Sequence, residues 1–260
     1  MRLSMLLGST LAAASFAVAA QAPVATTPPS PAQAYAAKFD QEVKHKVFLD
    51  ENAAASYRGM LTQALQGKPD TDHEQFFVLV DRNPKVEHVM LFLGTAQNPA
   101  FVGAAPASTG STGRKDHYIT PLGVFNHQLL NDFRAQGTKN ENGIRGYGSK
   151  GMRIWDFGWV PATKGWRLTT AEEGDIRFEM HATDPSILEP RLGTPASQGC
   201  VRIPEGLNKF FDHYGVLDAA YDQAVASGKP QWVLRSDREA SVFSGRYLVV
   251  VDTSETPVGR

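Results

Sequence analysis

A single cysteine, Cys200, is the whole thiol content of this 260-residue chain. One cysteine cannot close an internal bridge, so the disulfide framework of many small exported domains is excluded. Charge of one sign is also missing: 26 Lys and Arg stand against 27 Asp and Glu, a formal net charge of -1. That balance lacks the basic excess of a nucleic-acid-binding surface, so no nucleic acid partner is expected. A long apolar run occurs only near the start. Residues 3–18 are mostly apolar behind Arg2, are interrupted by Ser4, Gly8, Ser9, Thr10 and Ser15, and lead into small residues around Ala19 and Ala20. This is the pattern of an export signal over residues 1–20, too short and too broken for a membrane span. Its removal takes away Arg2 and no acidic residue, so the balance becomes -1 - 1 = -2. No cysteine lies in or beside the run, which excludes lipid attachment there.

With 42% hydrophobic and 20% charged residues, the mature chain can bury one ordinary core. Residues 21–34, rich in Pro, Ala and Thr, are expected to be a linker. A helical segment is expected over 35–70. In its second helix Tyr57, Met60, Leu61, Ala64 and Leu65 fall on one stripe, with Gly67 just past the end. From Phe76 the texture changes to short β-rich runs. Residues 76–81 and 86–92 read as a hairpin, and 123–127, 152–157, 175–181 and 247–252 as further strands. Helical spacing returns at Pro204, a favoured first-turn residue, with Leu207, Phe210, Phe211 and Tyr214 on one face. The expected fold is mainly β with α additions: a domain over 71–255 behind the helical segment.

The chemistry concentrates between Phe178 and Pro204. An ordinary thiol is only a few per cent thiolate at neutral pH, so a nucleophilic Cys200 needs a base. His181 ends a run in which Ile176, Phe178 and Met180 alternate with Arg177 and Glu179, so the pleat sets its face. The bland readings are a small buried cysteine and a structural histidine. Gly199 admits close backbone approach, and the amides of Gly199 and Cys200 are placed to face a developing oxyanion. Ser197 either positions a substrate or satisfies its own turn. Asp184 forms a His-x-x-Asp pair with His181, but no second histidine lies at ligand spacing, so no metal is expected. Arg202, two residues beyond the nucleophile, projects to the same side of a strand. It either pairs with a substrate carboxylate or holds the loop through backbone carbonyls. The glycine-rich stretch 137–151, followed by Trp155, Trp159 and Trp166, sits where a lid or groove would lie, or is local core.

The segments His181-Ala182-Thr183, Leu192-Gly193 and Ser197-Gln198-Gly199-Cys200-Val201-Arg202 resemble the catalytic signature of the L,D-transpeptidase (YkuD-like) family. That signature is usually His-Gly-Thr followed by Ser-His-Gly-Cys-Ile/Val-Arg. Ser108-Thr109-Gly110 and the run from Thr120 through Pro121, Leu122, Gly123 and Val124 to Phe125 resemble two upstream family segments, in the same order. The resemblance covers about residues 76–207. It implies a β-sandwich or barrel catalytic domain that works without a cofactor outside the cytoplasm, periplasmic or wall-associated. It further implies that a peptidoglycan tetrapeptide stem acylates Cys200 and releases D-alanine, and that an amine on a second stem or a wall-attached protein resolves the thioester. His181 would take the thiol proton, the Ala182 carbonyl would orient the imidazole, and Ser197, Gln198 and Arg202 would face substrate.

Two positions depart from that signature. Gln198 replaces the usual histidine and cannot titrate, so proton transfer falls to His181. Ala182 replaces the usual glycine, which disfavours positive φ while leaving the carbonyl in place. Three other readings stay open. A papain-like protease has its cysteine before its histidine, the reverse of the order here. A non-catalytic wall-binding protein would not need the intact Cys200 and His181 pair. A hydrolase on the same scaffold, with water resolving the thioester, differs only in groove shape and water exclusion.

Overall fold

The computed structural model describes residues 28–239 and 241–255. The expected export signal and residues 21–27 of the expected linker lie outside the described residues. Helix α1, Pro31–Glu42, begins inside the stretch expected to be linker to residue 34. Its start has a local cause: Ser30 Oγ accepts from the Gln33 amide at 3.3 Å, and Gln33 Oε1 accepts from the Ser30 amide at 2.8 Å. Pro31 fills the first turn, where no amide partner is needed. Helix α2, Glu51–Ala64, is capped by Asp50. It buries the stripe residues Tyr57 and Leu61, and Leu65 just beyond it.

Strands β1 (Gln75–Asp81), β2 (His88–Thr95) and β3 (Asn98–Pro106) follow as a meander, antiparallel at each step. The second strand of the expected hairpin starts at His88 rather than Val86, because Glu87 takes φ 49° and turns the chain. Strand β3 has no counterpart in the sequence reading. Its small residues have a packing reason: the Phe39 ring of α1 lies directly over Gly103, where a Cβ would come within 2.4 Å of it. Then come β4 (Gly123–Asn126), β5 (Phe133–Arg134), β6 (Arg153–Thr163), β7 (Glu173–Ala182) and β8 (Val201–Ile203). Helices α3 (Glu205–Tyr214) and α4 (Ala219–Ala226) precede β9 (Tyr247–Val251). Pro204, expected in the first turn of α3, stands one place earlier as its N-cap.

The strands form two sheets, ordered β3-β2-β1-β9-β4 and β5-β6-β7-β8. One core serves both. Phe76, Val78 and Leu248 from the first sheet join Trp155, Phe178, Met180 and Val201 from the second, with Phe210 and Phe211 of α3. The fold is therefore β-rich with helical additions. Strand β7 is antiparallel to β6 and parallel to β8, with His181 opposite Arg202. Counting back two places on that register sets Cys200 beside Glu179.

A fully buried ion cluster braces the second sheet. The Arg153 guanidinium on β6 lies 2.8 Å from Asp132 and 3.2 Å from Asp218, and all three side chains are buried. His127 Nε2 meets the same Asp132 at 3.0 Å. Removing one member of such a set strands the opposite charges without water. Arg153→Met is expected to lower unfolding free energy by about 3–5 kcal/mol, read from urea melts followed by tryptophan fluorescence. A loss within the small range of ordinary surface substitutions would show that the cluster is not a brace.

Candidate active site

His181 ends β7 on the face it shares with Arg177 and Glu179, while Ile176, Phe178, Met180 and Ala182 point to the interior. Its Nδ1 lies 2.6 Å from the Ala182 carbonyl oxygen. A carbonyl only accepts, so Nδ1 carries the proton and Nε2 is left as the acceptor. Ala182 is absent from the positive-φ residues, so alanine in place of glycine causes no backbone strain there. Its methyl packs with Met152 and Ile154.

Cys200 enters β8 from a loop gripped on both sides. The segment 108–111 runs beside it: Ser108 and Arg202 exchange backbone hydrogen bonds at 3.0 and 2.9 Å, and the Ala196 and Ser197 amides donate to Thr109 O at 3.0 and 2.9 Å. Thr120 Oγ1 accepts from the Gly110 amide at 2.9 Å and donates to Gly199 O at 2.7 Å. Gly199 itself has φ +127°, and a Cβ there would sit 2.8 Å from Ile176 Cδ1. Only glycine fits that turn without displacement.

The loop corrects two expectations. Ser197 Oγ donates to Cys200 O at 2.6 Å and accepts from the Gly199 amide at 3.0 Å. Its hydroxyl is spent on its own turn rather than presented to a substrate. The Gly199 amide, expected at the oxyanion, is thereby occupied, whereas the Cys200 amide has no acceptor among the described residues. Gln198 is exposed, and its carbonyl takes the Tyr118 amide at 3.3 Å. Asp184 is a loop cap that accepts from the Arg145, Ser186 and Ile187 amides.

Cys200, His181, Ser197, Gln198 and Arg202 line one cavity of 170 Å³, closed by Gly146 and Tyr147. The glycine-rich stretch is thus a wall of the site, and it is pinned. The Arg145 amide is held by Asp184 at 3.0 Å and the Ser149 amide by Glu205 at 2.6 Å. The three tryptophans separate: Trp155 is core, Trp159 is 72% exposed, and Trp166 packs edge-on against Tyr118. Of the two roles expected of Arg202, holding the loop is seen. One of its Nη atoms donates to Ala196 O at 3.1 Å, holding the loop, while its buried Nε has no partner.

Two contributors had no distinctive sequence signal. The Tyr147 ring stands edge-on to His181 with centroids 4.6 Å apart, and its hydroxyl donates to Glu179 at 2.9 Å. Glu87, buried behind the loop, accepts from both the amide and the hydroxyl of Thr109 at 2.6 Å. Burial pushes the Glu87 carboxyl up to about 8. Its grip on Thr109 fixes the segment that in turn fixes the nucleophile loop.

Burial dominates the titration of the pair. It pushes the Cys200 thiol up to about 12, helped by the neighbouring Glu179 charge, and pulls His181 down to about 4. The resting site between those values therefore holds a neutral thiol beside a neutral imidazole, not an ion pair. The thiol Sγ lies 3.7 Å from Arg177 O, a weak hydrogen bond consistent with a retained proton.

No protein-family model matches the chain, and no curated protein does. Among solved structures it is similar, at 13% identity and a TM-score of 0.34, to a fused Zn-dependent amidase/peptidase/peptidoglycan-binding domain-containing protein from Clostridium acetobutylicum, over 89% of this chain and 70% of that one. It is similar to Bd1075 of Bdellovibrio bacteriovorus at 14% identity and a TM-score of 0.34, over 69% of this chain and 48% of that one. The helical cell shape determining protein Pgp2 of Campylobacter jejuni gives 11% identity and a TM-score of 0.27, over 75% and 54%. The chain thus spans about half the length of the last two. Overlaps this partial carry nothing over to the chemistry of the site.

The neutral pair predicts a pH signature. Thiolate forms only as pH rises toward about 12, so the iodoacetamide rate at Cys200 should climb about tenfold per pH unit from pH 6 to 9, with no plateau. Mass spectrometry of the labelled protein follows it. A plateau near neutral pH would mean a preformed thiolate and imidazolium pair.

Proposed function

We propose that the protein is a cysteine-dependent acyltransferase of the L,D-transpeptidase type, acting on peptidoglycan stem peptides. One observation carries the reading: the chain's single thiol, Cys200, shares a small cavity with a histidine whose free nitrogen is fixed as an acceptor and with a guanidinium whose buried Nε has no partner. In this reading the Cys200 proton passes to His181 Nε2 as sulfur attacks the acyl carbon of the stem's diamino acid. The Cys200 amide stabilises the oxyanion. Collapse of the tetrahedral intermediate breaks the bond to D-alanine, whose amine takes the proton back from His181. An acceptor amine then attacks the thioester, gives up a proton through His181, and restores the thiol. Because imidazole and thiol are both neutral at rest, the charge pair forms only when substrate has displaced water. The Arg202 guanidinium faces a substrate carboxylate, with two donors in a planar fork. The chemistry needs no cofactor, and the site opens to the wall in an exported protein.

Incubation with purified disaccharide tetrapeptides distinguishes the fates of the thioester. Cross-linked dimers with released D-alanine are expected; tripeptide alone would make the protein a carboxypeptidase, and sacculus binding without product a wall-binding scaffold. His181→Ala should slow acylation by about a hundredfold to ten-thousandfold, and Gln198→Ala far less. A carbapenem should add covalently to the wild type and not to Cys200→Ala, as intact mass shows. Equal addition to both proteins would overturn the assignment of the nucleophile.

A further inference from the structure

A second chamber of 590 Å³ adjoins the catalytic cavity and shares Gly146, Gln198 and Arg202 with it. Its charged lining is all of one sign: Arg114, Arg191 and Arg202, with His117 beside them and no Asp or Glu. Asp116 acts on the charge of His117 but does not line the chamber. Asn140 and Asn142 add neutral polar groups from the glycine-rich wall.

The arginines here differ from every other arginine described. Ten others each lie within 4.0 Å of an Asp or Glu oxygen: Arg58, Arg82, Arg134, Arg145, Arg153, Arg167, Arg177, Arg235, Arg238 and Arg246. Arg114, Arg191 and Arg202 have no carboxylate partner among the described residues, and all three line this one chamber. Arg202 also carries a buried Nε with no acceptor at all. A protein with a near-even charge balance that pairs its other described arginines with carboxylates leaves these three without one beside the Cys200 cavity. Such a set is complementary to an extended ligand bearing several carboxylates, each able to take a two-pronged guanidinium contact.

We propose that this chamber is a carboxylate-reading subsite, in which Arg114 and Arg191 recognise the free acid groups of a stem peptide while Arg202 orients the segment entering the catalytic cavity. The inference rests on the reading of Cys200 as the acyl acceptor from such a stem. It adds a specificity: stems with free carboxylates are preferred over stems whose carboxylates are amidated. The side chains of Arg114 and Arg191 are exposed and make no hydrogen bond or ion pair among the described residues, so they serve recognition rather than folding.

Binding and reaction test the two readings separately. In full-chain Cys200→Ala, calorimetry compares a disaccharide tetrapeptide with its counterpart carrying carboxamides on the acidic residue and the diamino acid. Amidation should weaken binding about 10- to 100-fold. Arg114→Gln with Arg191→Gln should weaken the free acid by a similar factor and abolish discrimination between the two peptides. Arg114→Lys with Arg191→Lys keeps charge without the fork and should recover only part of the affinity. Equal binding of both peptides to the parent protein, or full discrimination surviving the double Gln variant, overturns the subsite. D-Alanine release by the Cys200 protein is scored independently. No release with charge-dependent binding intact would overturn the acyl-transfer reading and leave the chamber a carboxylate site.

Discussion

The pairing of three-residue β8 with the end of β7 is the constraint on which the site depends. His181 opposite Arg202 is a single register position, yet it brings imidazole and guanidinium side by side and sets the Cys200 thiol two residues away. So short a strand cannot hold its register unaided, and it is clamped from its other edge by Ser108. Behind Ser108 stand the Thr109 contacts to Glu87, and across the loop Thr120 ties Gly110 to Gly199. The Cys200 loop is thus held almost wholly by backbone hydrogen bonds and buried side chains.

That rigidity comes with dryness, and dryness decides the electrostatics. Burial around His181 and Cys200 moves their titrations apart, so the pair is neutral at rest. The chamber next door is roomier, polar, and lined by guanidinium groups with no carboxylate partner among the described residues. The small cavity holding Cys200 and His181 shares Arg202 with this larger cationic chamber.

Much of the site was legible because it is carried by short local segments. Cys200, His181 and Arg202 declare themselves by residue type and by period-two spacing on strands, and α2 by its apolar stripe. Strand β3 was not legible. Apart from Phe101 and Val102 it is Asn, Pro, Ala and Gly with no clear alternation, because α1 packs close against it and small residues are what that contact requires. The expected linker failed at its end for a related reason: proline and serine at 30–31 are as apt for starting a helix as for extending a chain.

The sequence by itself determined the candidate pair Cys200 and His181, the β-rich class and the absence of an internal disulfide, since each follows from residue identity and local pattern. Tertiary structure alone decided which groups are free to act. The Gly199 amide and the Ser197 hydroxyl are consumed by their own turn, Glu87 turns inward to hold Thr109, and Tyr147 closes on His181. Whether an arginine is paired depends on distances between residues far apart in the chain, and no local pattern marks Arg114 and Arg191 as different from Arg134 or Arg177. The fold, by leaving them without carboxylates, makes the difference.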